Sequence, residues 1–407
     1  MNARTYACEV LYRVIYENSY ASLLMRSMPE DFSAEDRGLI SEIVYGTLRN
    51  CSLLELQWSD LAQGRVRSRT RVLLNAAVYQ LKFMDRIPSY AVISESVSAA
   101  KKQEKGFVNA VLRAVDRRPL RHAEGEWPQK DAIETSHPVF LLKLWEKQYG
   151  RETAEKILAA DQERPVVYGR LNTLKADDSF FLAEGIERLE NDCFIWNGNL
   201  AASSWLKDGT VLIQSRTSQR VIPLLDAKPG MRVLDVCAAP GTKTQQIACA
   251  MKNMGEIVAG DLYPERVKLI DQLMKRTGAT IVRAAVRNAE KRDETMTGRF
   301  DRVLVDAPCS GLGDLSHKPE IRLHVSPESI DELTGIQARI LAASASCVKP
   351  GGVLVYSTCT LNRKENERQI RMFLEENHGF SLLEEHTFFP FELKSDGFYA
   401  AKLVRVL

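Results

Sequence analysis

Residues 231–262, MRVLDVCAAPGTKTQQIACAMKNMGEIVAGDL, constrain the fold of this chain more than any other stretch. An apolar strand over 233–236 runs into a tight turn through Pro240 and Gly241. A helix follows, then a short strand over 257–259 that leads to Asp261. This is half of a βαβ unit, with its chemistry at the carboxyl end of the first strand. Gly241 lets backbone approach a ligand, and the helix start offers unpaired N–H groups. An acidic residue after the second strand suits a ribose diol. Asp261 lies 20 residues beyond Gly241, a spacing that also suits a dinucleotide enzyme. GxGxxG is absent, however, and one turn glycine remains. A nucleoside ligand without a pyrophosphate, such as S-adenosylmethionine, fits better.

The same alternation continues to the end of the chain. Strands are predicted at 280–283, 302–305 and 353–356, with helices between them, notably over 330–346. A late pair, 379–383 and 397–404, predicts an antiparallel hairpin at the sheet edge. Residues 218–407 therefore read as an open α/β sheet covered by helices on both faces. Residues 1–125 read differently. Apolar stripes at helical spacing predict helices over 36–54, 70–83, 91–100 and 106–115 behind a first stripe of Tyr6, Val10, Tyr12, Val14 and Ile15. Residues 126–160 form a helical connector. Residues 161–217 form a small α+β unit, with strands expected at 166–172, 202–206 and 210–214 and a helix over 179–189.

For 407 residues these divisions agree with the usual domain size, and 45% apolar residues supply ample core. No apolar run is long enough for a membrane helix, and no cleavable leader pattern opens the chain, so a cytoplasmic protein with no membrane partner is expected. The eight cysteines contain no CxxC pair, which disfavours a metal site and suits a reducing compartment. A net charge of +2 neither demands nor forbids nucleic acid. Its distribution is more telling. Arg65, Arg67, Arg69 and Arg71 alternate, and Lys101, Lys102, Lys105, Arg113, Arg117, Arg118 and Arg121 crowd residues 101–121. Such a cluster reads either as a solvated helix face or as a surface that meets RNA phosphates.

Two cysteines stand apart. Asp306, Ala307, Pro308 and Cys309 follow the fourth strand, and Cys359 follows the fifth. Open sheets place ligands beyond the carboxyl ends of their strands, so both fall near Asp235–Gly241 and Asp261. Cys8, Cys51, Cys249 and Cys347 read as buried filling. Carbon 5 of a pyrimidine is a poor nucleophile until a thiolate adds to C6 and makes it carbanion-like. A soft, partly ionised thiol suits that addition, and a carboxyl at Asp306 suits N3 and the exocyclic amine. Methylation of an exocyclic amine would need no cysteine, so the pair points to carbon methylation.

The segments LDVCAAPGTKT, DAPCSGLG and YSTCTLNRKENE resemble the bacterial Sun-type 16S rRNA cytosine-5 methyltransferase family. RIPSYAVISESVSAAK and KGFVNAVLR resemble its helical NusB-like RNA-binding domain, and the middle unit resembles its small RNA-recognition-like domain. The resemblance implies three domains: an all-α NusB-like domain, a small α+β domain and an α/β Rossmann-like class I methyltransferase domain. It implies methylation of C5 of a cytidine in small-subunit rRNA, naked or in an early particle, by a monomer that uses S-adenosyl-L-methionine and neither DNA nor metal. By the same resemblance Cys359 attacks C6, Cys309 assists breakdown of the adduct, and Asp306 contacts the cytosine edge and counts among the cofactor-binding residues. Lys243 contacts the active-site groups. The backbone of Cys237, Ala238, Ala239, Pro240, Gly241, Thr242 and Lys243 cradles the methionine part, Asp261 binds the ribose hydroxyls, and Arg266 lies nearby. The chain departs from the family pattern at Thr242, where a second glycine is usual, and after the third strand, where an acidic residue near the adenine is usual and Asn288, or Glu290 with the loop shifted, stands in. Ser316, His317 and Lys318 replace a pair of arginines. The competing expectations are the same chemistry on tRNA or another RNA, a non-catalytic RNA-binding adaptor, and a dinucleotide-dependent oxidoreductase.

Overall fold

The structure, a computed structural model, describes residues 2–406. Contacts divide the chain into two compact units: Met1–Glu163 with Leu315–Val325, and Arg164–Asp314 with Ser326–Leu407.

The first unit is helical among its described residues. Seven helices, from Ala3–Glu17 to Lys105–Arg117, pack around two apolar clusters, one on Leu11, Ile40 and Val44, the other on Trp58, Val78 and Leu112. Three further helices lie in the connector: Gln129–Glu134, Val139–Tyr149 and Arg151–Gln162. The single helix expected over 36–54 is two, Ala34–Arg49 and Cys51–Trp58. Asn50 leaves helical geometry (φ −114°, ψ 18°), and its side-chain amide donates to the Gly46 carbonyl at 2.9 Å, which ends the first helix. Residues 315–325 belong to this unit because Arg322 is fully buried in it, its Nη1 donating to the carbonyls of Thr135 (2.8 Å) and Arg49 (3.2 Å). Many of the basic residues singled out above are already paired. Arg67 meets Glu104, Arg69 meets Glu9, Arg71 meets Glu55, and Arg118 and Arg121 share Asp60. Arg65, Lys101, Lys102, Lys105, Arg113 and Arg117 are exposed, and the paired Arg67 and Arg69 also keep more than half of their side-chain surface open to solvent.

The second unit holds two sheets. In the small one, β1 (Gly169–Leu171), β2 (Ile186–Glu190), β3 (Cys193–Trp196) and β4 (Val211–Ile213) are ordered β2-β3-β1-β4, with antiparallel pairs. Here the sequence reading fails twice. The expected helix over 179–189 is a short turn of 3-10 helix, Asp178–Leu182, followed by β2. The expected strand over 202–206 is instead the end of a 3-10 turn, Leu200–Ala202, and the start of the helix Ser204–Asp208. Gly185 at φ +76° interrupts the first, and the Ser203 hydroxyl caps the second by accepting the Leu206 N–H at 3.2 Å. The aromatic residues of this unit converge on one small core of Phe180, Phe181, Phe194 and Trp205.

The large sheet comprises β5 (Arg232–Asp235), β6 (Glu256–Asp261), β7 (Val282–Val286), β8 (Phe300–Asp306), β9 (Val348–Thr358), β10 (Phe380–Phe388) and β11 (Phe398–Arg405). Its order is β10-β11-β9-β8-β5-β6-β7, parallel from β9 to β7 and antiparallel where β11 meets β9 and β10. The expected edge hairpin is therefore present. Alternation along β5 explains the two apolar layers: Val233 packs with the helices Arg216–Leu225, Thr242–Ala250 and Pro264–Thr277, whereas Leu234 packs with Pro327–Ala345 and Glu367–Glu376. β6 and β8 flank β5, so the crossovers diverge there and open a crevice at the carboxyl ends of the strands.

Candidate active site

Every strand end that borders this crevice carries one of the residues expected above. At the end of β5, Asp235 is buried, its Oδ2 accepting the Thr244 hydroxyl at 2.7 Å while Oδ1 has no partner. Burial, above all, pushes its carboxyl up to about 7, and the charges of Asp306 and Asp261 add to the effect. The turn that follows has a cis Ala239–Pro240 bond and places Gly241 at φ +106°. A Cβ there would stand 3.2 Å from Met274 Cε and 3.4 Å from Leu273 Cδ2, so glycine is favoured by both conformation and space. Thr242 starts the helix Thr242–Ala250 in ordinary helical geometry, which is why a threonine is tolerated where a second glycine is usual.

At the end of β6, Asp261 is buried and accepts the N–H groups of Ala239 and Tyr263, both at 3.3 Å. Arg266 lies 3.5 Å from Asp261 and donates to the Ala239 carbonyl, closing the turn from the other side. Asn288 sits just past β7, beside the end of β6, and turns its Oδ1 back to the Glu290 N–H at 2.9 Å. The thiol of Cys237 is raised by burial first and by Asp235 next, so that cysteine contributes backbone rather than a reactive sulfur.

The ends of β8 and β9 bring the remaining residues together. Lys243 Nζ bonds Asp306 Oδ2 at 2.8 Å, and Ser357 Oγ donates to Asp306 Oδ1 at 2.8 Å. Burial disfavours the ammonium of Lys243, but the charge and hydrogen bond of Asp306, with Cys359 and Asp235 behind them, hold it above the ordinary lysine range. Cys309 Sγ and Cys359 Sγ are 3.4 Å apart. The Cys309 thiol is held well above the usual range by its hydrogen bond to Cys359, by burial and by the neighbouring charges of Cys359 and Glu365. One sulfur thus stays protonated beside another that lies near a lysine cation. That arrangement permits one cysteine to add to a carbon while its neighbour carries a proton.

Sequence reasoning missed several residues that hold this geometry. Ser357 orients Asp306, and Glu365 and Asn366 brace the two cysteine turns. All three lie in YSTCTLNRKENE, Ser357 as its second residue and Glu365 and Asn366 near its end, where the order of residues does not reveal what they bond. Arg170 on β1 is fully buried and donates to Gln214 Oε1 at 2.7 Å, to Gln245 Oε1 and to the Thr242 carbonyl at 3.3 Å, anchoring the start of the helix Thr242–Ala250. Cys249 is more than filling: its thiol lies 3.3 Å from Asn172 Oδ1 in the same network. A cleft of about 490 Å³ lined by Arg188, Glu190, Arg220 and Gln246 contains neither Cys309 nor Cys359.

Comparison with known proteins agrees with this geometry. Residues 222–404 match the family described as 16S rRNA methyltransferase RsmB/F, residues 1–117 match the NusB family, and residues 137–191 match the RsmF/B-like ferredoxin-like domain. The probable ribosomal RNA small subunit methyltransferase B of Bacillus subtilis is 38% identical to this chain, covering 93% of it and 89% of the relative. That of Yersinia enterocolitica is 30% identical and covers 99% of both.

The chain belongs to this family.

The crystal structure of the protein PH0851 shares the fold, with a TM-score of 0.83 at 23% identity over 99% of each chain. Family and fold place the chain among the S-adenosylmethionine-dependent methyltransferases. The residues present fit that group. The unpartnered Asp235 Oδ1 is a buried acceptor at the turn, Gly241 leaves the turn open, and the two Asp261 oxygens bind their backbone donors at long distance and keep acceptor capacity for a diol.

Proposed function

We propose that this protein methylates carbon 5 of a cytidine in small-subunit rRNA through a covalent bond between Cys359 and C6. The observation that carries the reading is the 3.4 Å pair of sulfurs at the ends of adjacent strands, next to the Lys243–Asp306 bond. When bound, S-adenosylmethionine supplies an electrophilic methyl group; Asp261 and the turn from Cys237 to Lys243 hold it. Asp306, kept in place by Lys243 and Ser357, meets the N3 and amine edge of the base. Cys359 adds to C6 and the resulting negative charge makes C5 nucleophilic. Once C5 carries the methyl, its hydrogen must leave as a proton and the C6–S bond must break, and Cys309 serves that stage. The relatives named for ribosomal RNA small subunit methyltransferase B support the choice of RNA, and the NusB match supports an RNA-docking role for the helical unit.

The test is transfer of labelled methyl to unmodified small-subunit rRNA, with tRNA in parallel and nucleoside analysis of both products. Labelled 5-methylcytidine in rRNA alone is expected. Label in tRNA alone would refute the target and keep the chemistry. Cys359→Ala abolishes transfer, and Cys309→Ala leaves a protein–RNA adduct as a slow band in a denaturing gel; the reverse pattern refutes the assigned roles.

A further inference from the structure

The adduct chemistry places two demands on Cys309. Its sulfur must stay beside that of Cys359, and it must do so from a segment with little structure of its own. Cys359 lies one residue past β9, its carbonyl takes the Gly313 N–H at 3.0 Å, and the neighbouring Thr358 hydroxyl donates to Asn366 Oδ1 at 2.6 Å. Cys309, by contrast, lies beyond the end of β8 in a stretch that is neither helix nor strand. Backbone bonds tie the ends of this stretch, Ala307 N–H to the Ser357 carbonyl and Gly313 N–H to that of Cys359, and between them the residue after Cys309 is held chiefly by one side chain.

Glu365 is fully buried. Its Oε1 accepts the Ser310 N–H at 2.8 Å and Gln337 Nε2 at 3.1 Å. Its Oε2 accepts the Ser310 hydroxyl at 2.6 Å and Asn362 Nδ2 at 3.0 Å, with the Thr360 hydroxyl at 3.4 Å. Ser310 and Thr360, the residues directly after the two cysteines, also bond each other at 2.7 Å. Gln337 extends the brace to the Pro308 carbonyl at 2.9 Å, the residue before Cys309. Every neighbour of the carboxyl group in this set is a donor, so the site is built for an acceptor with two oxygens. Such a buried carboxyl group is costly unless fully hydrogen-bonded, and here it is.

We propose that Glu365 is the positioning residue of Cys309: it ties the Cys309–Ser310 turn to the Cys359–Thr360 turn and holds the two sulfurs together while the adduct breaks down. The inference deepens the function proposed above and rests on it. In the elimination, the C5 hydrogen departs as a proton and its bonding pair forms the C5–C6 double bond. The pair of the C6–S bond leaves on the Cys359 sulfur. Cys309 gives its thiol proton to that sulfur and takes up the C5 proton, so it ends as the thiol it was. This exchange needs the short sulfur–sulfur distance; addition of Cys359 to C6 does not. Glu365 therefore governs the second half of the reaction more than the first.

The experiment follows the slow band after mixing full-length enzyme, S-adenosylmethionine and unmodified rRNA, timing its appearance and its loss. Glu365→Gln keeps the volume but turns an amide N–H₂ toward donors. It should leave band appearance within about threefold of wild type and slow band loss by about tenfold or more, the effect of one charge-assisted hydrogen bond. Ser310→Ala removes one contact and keeps the backbone N–H, so its loss phase should slow by a smaller factor. Glu365→Asp should recover part of the rate. Wild-type band loss in folded Glu365→Gln would overturn the proposal, as would an equal slowing of both phases. If circular dichroism shows that Glu365→Gln does not fold, Ser310→Ala decides, and an unchanged loss phase there overturns it. Absence of any band even in Cys309→Ala would refute the covalent function itself, which is a distinguishable outcome.

Discussion

Replacing Lys243 by Met tests whether the Lys243–Asp306 bond is a working part of the crevice or an incidental surface pair. The two side chains are 13% and 27% exposed, so the pair is largely shielded from water. Removing one partner of a fully buried pair costs about 3–5 kcal/mol, because the other charge is left uncompensated. Asp306 keeps its bond to Ser357 and some contact with solvent, which lowers the expected cost to about 2 kcal/mol. In a unit of this size that loss lowers Tm by about 4–8 °C. Asp306→Asn should also destabilise, since it leaves the lysine without its anion. The double variant should be more stable than the sum of the singles requires, with a coupling of about 1–2 kcal/mol. The assay is urea and thermal unfolding of wild type, both singles and the double variant. Costs that add within about 0.5 kcal/mol would refute the reasoning, because independent residues behave that way.

Gly241→Ala should cost about 1–2 kcal/mol from the strained φ alone and should weaken S-adenosylmethionine binding, measured by calorimetry; unchanged affinity would remove the turn from the cofactor site. Arg170→Met should destabilise the second unit by about 2–4 kcal/mol, because Gln214 and Gln245 lose a buried donor; an unfolding midpoint equal to wild type would show that the network rearranges freely. Asp235 gives a pH signature. Its folded value of about 7 lies above the ordinary 3.8, so the folded state holds the proton more tightly. Its contribution to stability is fully present below about pH 4 and is lost as pH rises through 7. Asp235→Asn should flatten that part of the stability–pH curve, and an unchanged slope would assign it to other groups.

Much of the site was readable in the order of residues. The run from Arg232 to Asp261 contains strand, turn, helix and strand in their functional order, and each adjoining strand ends in its own reactive residue: Asp235, Asp261, Asp306 and, one step further, Cys359. Period-two apolar patterns and a turn glycine are local properties, so local sequence reports them. The small sheet was not readable in this way. Its aromatic residues satisfy a core shared by distant segments, and residues 186–190 become a strand by pairing with β3 rather than by their own preference. The acidic partners of the basic stretches were unreadable for a similar reason, since Glu9, Glu55, Asp60 and Glu104 reach them only once the helices pack.

By itself, then, the sequence determined the succession of strands and helices, the glycine turn, and the residue types available for chemistry at the strand ends. These follow from backbone geometry and side-chain periodicity within a few residues. Tertiary structure alone decided that Cys309 and Cys359, fifty positions apart, stand 3.4 Å from each other, and that a glutamate outside the reacting set joins their turns. Those distances depend on the parallel register of β8 and β9 and on a buried hydrogen-bond network, and neither is written in any contiguous stretch of the chain.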